Sequence, residues 1–204
     1  MDERKARIRR PIRAARAARR AAGTPGALVA ERRALLDRWR ELLDLLGLDV
    51  DSPDFVPALF VPAPSEPDVS GILAAHPRAL LPVLVDASGA PLAGPAWGRR
   101  RGDVPLVAPS PHRPAQPGGP VLGPGALGEA SVVLVAALAV DEGGTRLGQG
   151  GGWYDRALPS AGPGVPVVAV VFDDEVLPAG ALPRESHDRR VDGVLTPART
   201  RLFD

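Results

Sequence analysis

Ser131-Val132-Val133-Leu134-Val135-Ala136-Ala137-Leu138-Ala139-Val140 and, three residues further on, Gly144-Thr145-Arg146-Leu147-Gly148-Gln149-Gly150-Gly151-Gly152-Trp153-Tyr154-Asp155-Arg156 together decide the fold. The first is a continuous apolar run bounded by turn residues, the pattern of a strand buried on both faces. The second packs five glycines, two arginines, one carboxylate and two aromatics into thirteen positions. Their order predicts a glycine loop leaving the carboxyl end of a central strand. Ligands of open α/β sheets bind at such ends, and glycines let backbone N–H groups close around an anion.

Similar apolar runs occur at 55–61, at 80–85, at 165–172 and, shorter, at 191–197. In the second of these Pro82 should mark a first residue or an irregularity. Between them fall helical patterns. Ala and Arg fill the stretch from Glu3 to Ala22, with Gly23 and Pro25 as stop signals; 27–46 carries Leu35, Leu36, Trp39, Leu42, Leu43 and Leu46 at helical spacing; a short helix is expected at 68–76 and another from 155 to 158. Strands alternating with helical or irregular segments predict a three-layer α/β/α fold with a mostly parallel or mixed central sheet, formed by one domain over 1–204. The Pro- and Gly-dominated stretch between Gly102 and Gly128 reads as an irregular surface excursion.

With 204 residues, 45% of them hydrophobic, the chain can bury a substantial core. Cysteine is absent, which excludes disulfides and thiolate metal sites. No apolar stretch reaches the roughly 18 residues of a membrane span. A soluble, cytoplasmic monomer is expected. The net charge of +1 conceals an asymmetry: residues 1–22 hold nine Lys/Arg against two acids, leaving 16 against 22 for the remainder. A basic segment feeding an acidic body suggests intramolecular docking, anion binding, or both. Three readings compete for it: a solvated helix, a nucleic-acid or transit segment, and an arm carrying cations to a bound phosphate. Lys5 is the only lysine among many arginines, which hints that a compact ammonium is wanted there. Two other charge clusters read as solvated before they read as functional: Arg99-Arg100-Arg101 beside Trp97, and Asp173-Asp174-Glu175 at a strand end.

Two phosphate-binding patterns fail on the glycine loop. The P-loop needs a lysine after its last glycine, and none lies near; the dinucleotide fingerprint starts at Gly148 and Gly150 but meets Trp153 where its last glycine belongs. A dinucleotide reductase is therefore a minor alternative. What remains is a backbone nest with Arg146 and Arg156 as forked donors and Asp155 able to hold Mg²⁺.

The pattern Arg146-Leu147-Gly148-x-Gly150-Gly151-Gly152-Trp153-Tyr154-Asp155-Arg156-x-Leu158 resembles the R-L-G-x-G-x-G-[YFW]-Y-D signature of the 5-formyltetrahydrofolate cyclo-ligase family. Lys5-x-x-Ile8-Arg9 is similar to that family's opening, and the likeness extends to Ser65-Glu66, Leu81-Pro82, Pro114-Ala115-Gln116-Pro117 and the tail from His187-Asp188 to Thr196-Pro197. Ala136-Ala137-Leu138-Ala139-Val140-Asp141 departs from the family's P-G-L-A-F-D, and 97–125 matches poorly.

The resemblance implies ATP- and Mg²⁺-dependent conversion of 5-formyltetrahydrofolate to 5,10-methenyltetrahydrofolate. It implies that Lys5 and Arg9 reach the ATP phosphates from the N-terminal helix, and that Arg146 with the backbone of Gly148, Gln149, Gly150, Gly151 and Gly152 cradles them. Lys5 and Arg146 would be the catalytic pair and Tyr154 a further nucleotide neighbour. Asp155 and Asp188 resemble metal-side carboxylates. Glu66 looks like the acceptor for the pterin's N–H edge, with Gly151, Gly152 and Trp153 beside the reduced folate. A nucleic-acid-binding accessory protein using the basic arm, and an ATP-binding relative with another substrate, are the alternatives.

Overall fold

The computed structural model describes residues 3–110, 113–185 and 188–203. Its helices are α1 (Glu3–Ala22), α2 (Pro25–Leu45), α3 (Ser70–Ala75) and α4 (Trp153–Ala157). The strands are β1 (Pro57–Ala58), β2 (Ala79–Val85), β3 (Pro91–Arg100), β4 (Val132–Ala136), β5 (Ala139–Asp141), β6 (Arg146–Leu147), β7 (Val167–Val170), β8 (Val176–Leu177), β9 (Gly193–Leu195) and β10 (Thr200–Leu202). Seven of them form one sheet in the order β10-β9-β7-β4-β1-β2-β3, parallel through its five inner strands and antiparallel at both edges. A second sheet, β6-β5-β8, carries the glycine loop.

Strand parity splits the core. Val132 and Leu134 of β4 pack on the side of Leu35, Trp39 and Ile72 from α2 and α3, while Val133 and Val135 meet Leu127, Ala157 and Leu158 on the other. The expected three layers are present, though the second outer layer is thin: α4 and 3-10 turns at Pro124–Glu129 and Leu158–Ser160. Helix α2 starts where Thr24 accepts from Ala27 N at 3.2 Å. It stops at Gly47, whose φ of +63° lets Leu48 N reach Leu43 O at 3.0 Å and Gly47 N reach Asp44 O at 3.1 Å.

Several expectations are corrected. The run 131–140 is not one strand: it leaves the large sheet after Ala136, and Val140 belongs to β5. The Arg16 guanidinium takes Ala137 O, and Leu138 N turns to Leu147 O, so the ladder cannot continue. A hairpin therefore separates the central strand from the glycine loop. Only two residues of 55–61 join the ladder as β1. Pro82 sits mid-strand in β2, opposite Trp97, just before a register shift at Val83/Val85. Leu80 O accepts from Leu59 N, so Pro82, two residues on, turns its nitrogen to the same side, where β1 has ended and no ladder bond is lost. Arg99 and Arg100 lie in β3, an unforeseen strand, with Arg99 paired to Glu129 at 2.5 Å and Arg100 donating to His76 O at 3.2 Å. β10 was likewise unforeseen.

The basic segment is docked. Propensity alone does not hold α1, because Pro11 inside it costs about 3 kcal/mol. Ile8 and Ile12 pack against the cluster of Ala139, Leu147 and Leu182. Arg16, its side chain 1% exposed, forks onto Glu175 with two bonds of 2.7 Å and donates to Ala137 O at 2.7 Å. Arg19 binds both oxygens of Asp174 at 2.9 Å and lies 4.0 Å from the centre of the Phe172 ring. Within the acid cluster 173–175, Glu175 is buried and, with the exposed Asp174, anchors α1, a role the solvated-turn reading did not include; Asp173, also exposed, accepts from Thr196. Removing one partner of a buried pair strands the other charge. Glu175→Ala should therefore lower unfolding free energy by about 3–5 kcal/mol in a urea titration, with Arg16→Met/Glu175→Leu recovering most of it.

Candidate active site

The hairpin β5–β6 and the glycine loop are set by a buried acid. Asp141 Oδ1 accepts from Gly143 N at 3.1 Å and Thr145 N at 2.9 Å; Oδ2 accepts from Gly180 N at 3.2 Å and Leu182 N at 3.3 Å. One carboxylate thereby joins the hairpin turn to the segment that leads into Glu185 and Asp188. Beyond β6, Gly150 (φ +108°) and Gly152 (φ +61°) take backbone conformations that side chains resist, and Gly152 turns the chain into α4.

This loop closes one side of a cavity of about 500 Å³. Its lining includes a charged group, Lys5 and Arg9 from α1, Arg146 from β6, and Asp155, Glu185 and Asp188, and a more apolar group, Phe60, Val61, Pro82 and Leu84 with the acid Glu66; Tyr154 feels the charges of both Glu66 and Arg146. The residues implied by the resemblance all line it: Lys5, Arg9, Glu66, Arg146, Gly148, Gln149, Gly150, Gly151, Gly152, Trp153, Tyr154, Asp155 and Asp188. Arg156, expected as a second forked donor, is instead exposed and donates to Gly151 O at 3.1 Å. His187 lies outside the described residues.

The charged group is internally paired. Lys5 Nζ donates to Glu185 at 2.8 Å and to Asp188 at 3.3 Å. Desolvation works to lower its pKa, but the two carboxylates outweigh this and leave it above the ordinary value. Arg9 Nε donates to Gly148 O at 2.9 Å, and Arg13 reaches Gln149 O at 2.7 Å, so α1 grips the loop through its carbonyls. Arg146 bonds Asp155 and Arg189 O. Burial pulls its guanidinium below the ordinary range, and the charges of Asp155 and Asp188 oppose that shift. Among the described residues no three carboxylate or imidazole groups form a metal cage. Mg²⁺ commonly takes only one or two protein carboxylates beside phosphate oxygens and water. Asp155 and Asp188, both on this cavity and both sensed by Arg146, fit that sparse donor set.

The other group is apolar around one acid. Burial pushes the Glu66 carboxyl up, opposed by the Ala63 N–H, which donates to Oε2 at 2.9 Å, and by the Arg16 charge. Burial and the nearby Glu66 charge raise the Tyr154 phenol as well. Trp153 stacks edge-on with Trp97 at 5.1 Å and with Tyr154 at 5.1 Å, which locks the aromatics that follow the loop.

Comparison with known proteins identifies the relatives. The 5-formyltetrahydrofolate cyclo-ligase family profile matches residues 58–197. The 5-formyltetrahydrofolate cyclo-ligase of Mycolicibacterium smegmatis is 43% identical over 145 residues, 69% of this chain and 72% of that protein. The chain belongs to the 5-formyltetrahydrofolate cyclo-ligase family. It is accordingly an enzyme of the ligase class. The cyclo-ligase fold is shared with a 5,10-methenyltetrahydrofolate synthetase from Aquifex aeolicus, TM-score 0.67 at 20% identity over 96% of this chain and 93% of that one. It is shared too with a 5,10-methenyltetrahydrofolate synthetase from Mycoplasma pneumoniae, TM-score 0.60 at 16% identity over 96% and 98%. The profile match begins after α1, so the placement of Lys5 and Arg9 against the loop rests on the structure.

Sequence reasoning missed Glu185 as the partner of Lys5, Arg13 on the loop, and the Asp141 staple. The spacing Lys5, Arg9, Arg13, Arg16 repeats at three to four residues and was the available signal for Arg13, while Glu185, 180 positions from Lys5, had none. For Asp141 the sequence offered only the turn pattern of an acid followed by Gly143 and Gly144; its bonds to Gly180 N and Leu182 N are backbone contacts distant in sequence and left no signal.

A raised acid in the folded state binds protons more tightly than in the unfolded chain, so its ionisation costs stability as pH rises from the ordinary value of 4.5 through the folded one. Glu66→Gln keeps an acceptor for Ala63 N and removes that cost. It should melt above the wild type at about pH 8, with the difference vanishing near pH 4. A variant melting below the wild type at the higher pH contradicts the burial assigned to Glu66.

Proposed function

We propose that the protein uses ATP and Mg²⁺ to convert 5-formyltetrahydrofolate into 5,10-methenyltetrahydrofolate, releasing ADP and phosphate. The observation that carries this reading is one cavity lined both by a charged group that includes Lys5 and Arg9 of α1 with Arg146, and by an apolar group around one acceptor carboxylate, Glu66. Polyphosphate suits the first group. A flat heterocycle with an N–H edge suits the second.

In this reading the N5-formyl oxygen attacks the γ-phosphorus, N10 closes the ring, and phosphate departs. Phosphoryl transfer is chiefly positioning and charge stabilisation, and the residues here are of that kind. Arg146, buried and fixed by Asp155 and Arg189 O, presents a preorganised cation toward the transferring group. Lys5 and Arg9 reach the phosphates from α1, and the Gly148–Gly152 backbone with Gln149 surrounds them; Tyr154, which feels the charges of both Glu66 and Arg146, stands between the nucleotide and the pterin. Glu66 receives the pterin N–H edge between Trp153 and the Gly151-Gly152 backbone. Asp155 and Asp188 would hold Mg²⁺, which supplies charge neutralisation for the phosphate oxygens. No nucleic-acid partner is needed, since Arg99, Arg100 and the α1 cations named above are engaged within the protein. The enzyme acts as a cytoplasmic monomer; no helix among the described residues is long and apolar enough to cross a membrane.

The test is the absorbance of methenyltetrahydrofolate formed from 5-formyltetrahydrofolate with and without ATP–Mg²⁺. Product only with both supports the proposal; none with both, or equal product without ATP, rejects it. Arg146→Ala should slow turnover by about 10²–10³, the loss typical of one preorganised charge-stabilising donor, and near-normal turnover would remove its role. Lys5→Ala should raise KM for ATP about tenfold and leave that for the folate near its starting value, in a two-substrate kinetic series.

A further inference from the structure

Pro114-Ala115-Gln116-Pro117 belongs to no regular helix or strand, yet Pro114 and Ala115 line the cavity. They lie against the wall formed by Pro82 and Leu84 of β2. At that point β2 slips its register with β3, between Val83 and Val85, so its backbone loses ladder partners. The Gln116 carboxamide, 7% exposed, supplies them. Its Oε1 accepts from Leu84 N at 3.0 Å and Val85 N at 3.3 Å, and its Nε2 donates to Val85 O at 2.9 Å. Only one orientation of the amide satisfies two donors and one acceptor, and only a carboxamide offers both kinds of group; a carboxylate has no proton for Val85 O.

Two further contacts hold the same segment. The Gln116 backbone pairs with Val107 in both directions at 2.8 and 2.9 Å. Pro117 packs on β3 at Gly98, where an added Cβ would stand 2.8 Å from Pro117 Cβ. Buried amides of this sort are strongly held, because leaving a backbone N–H or C=O unpaired costs more than the bond itself contributes. The cavity wall is thus set by an anchor that faces away from the cavity.

We propose that Gln116 is a positioning residue that fixes the gap between the Pro114-Ala115 segment and β2, and through it the fit of the folate against the apolar lining of the cavity. This rests on the assignment of that lining to a reduced folate. The phosphate-facing groups are on other elements, so the anchor acts on one substrate alone.

Gln116→Glu keeps the two acceptor bonds and loses the donor. Gly98→Ala pushes Pro117 outward with Gln116 intact. Ala115→Val enlarges a lining side chain and disturbs no buried polar group. Steady-state kinetics with each substrate varied should show KM for 5-formyltetrahydrofolate raised about 5- to 20-fold in all three, with KM for ATP unchanged within about twofold, a split that general destabilisation does not produce. Melting temperatures establish which variants are folded at the assay temperature, and Ala115→Val serves if the other two are not. A folded Gln116→Glu or Gly98→Ala with wild-type folate KM overturns the role of the anchor. An unchanged folate KM in Ala115→Val overturns the role of the segment. A parallel rise in KM for ATP overturns the selectivity. Wild-type protein that forms no product overturns the substrate assignment instead, and this inference with it.

Discussion

The Arg16 guanidinium is enclosed between both oxygens of Glu175 and the carbonyl of Ala137, with almost no water. Such a pair adds little net stability over an apolar one, but it penalises every arrangement that leaves either charge alone by about 3–5 kcal/mol. Helix α1 has a proline inside it and a surface rich in like charge, and among the described residues this lock is the one buried contact beside the mostly exposed or half-buried ones that position it. Once Arg16 is fixed, helical geometry does the rest. Lys5 lies eleven residues earlier, about 16 Å along the axis, and so falls at Glu185 and Asp188. Arg9 and Arg13 fall between, at the glycine loop.

The same lock shapes the apolar lining of the cavity. Ala137 is where the central strand leaves the large sheet, and Ala136, just before it, lines the cavity near Tyr154. The Arg16 charge also reaches Glu66, where it opposes the effect of burial. A single buried cation therefore fixes the helix that carries Lys5, ends the strand that forms the floor, and favours the ionised form of the acid in the apolar lining. Under the proposed function those three features serve both substrates at once.

Much of this was legible in the sequence, and the reasons are particular. The apolar runs of β4 and β7 are long enough to require two covered faces, and the stripe from Leu35 to Leu46 could only be a core-facing helix. The charge contrast between residues 1–22 and the remainder suggested docking or anion binding, beside a solvated helix and a nucleic-acid or transit segment, before any partner was visible. The glycine motif, with Lys5, Arg9, Glu66 and Asp188, marked residues that now line one cavity. What stayed hidden depended on partners remote in sequence. Glu175 read as part of a solvated turn because Arg16 is 159 positions away. Pro91-Leu92-Ala93-Gly94-Pro95-Ala96-Trp97-Gly98-Arg99-Arg100 has no alternation and two prolines, so β3 exists only because β2 offers it an edge. Gln116 bonds backbone atoms, which leave no trace in side-chain patterns.

Asp141, paired through its backbone with Leu177 of β8, uses its side chain to extend that junction to the turn after β5 and to the segment at Gly180 and Leu182. Its four amide partners cannot lose their acceptor one at a time without leaving a buried carboxylate short of hydrogen bonds. They open as one cooperative unit, and their exchange with solvent protons is governed by a shared opening free energy. The base of the glycine loop and the backbone from Gly180 to Leu182 are thus tied into one piece. Whatever motion admits and releases ligands belongs to the surfaces that face this piece rather than to the piece itself.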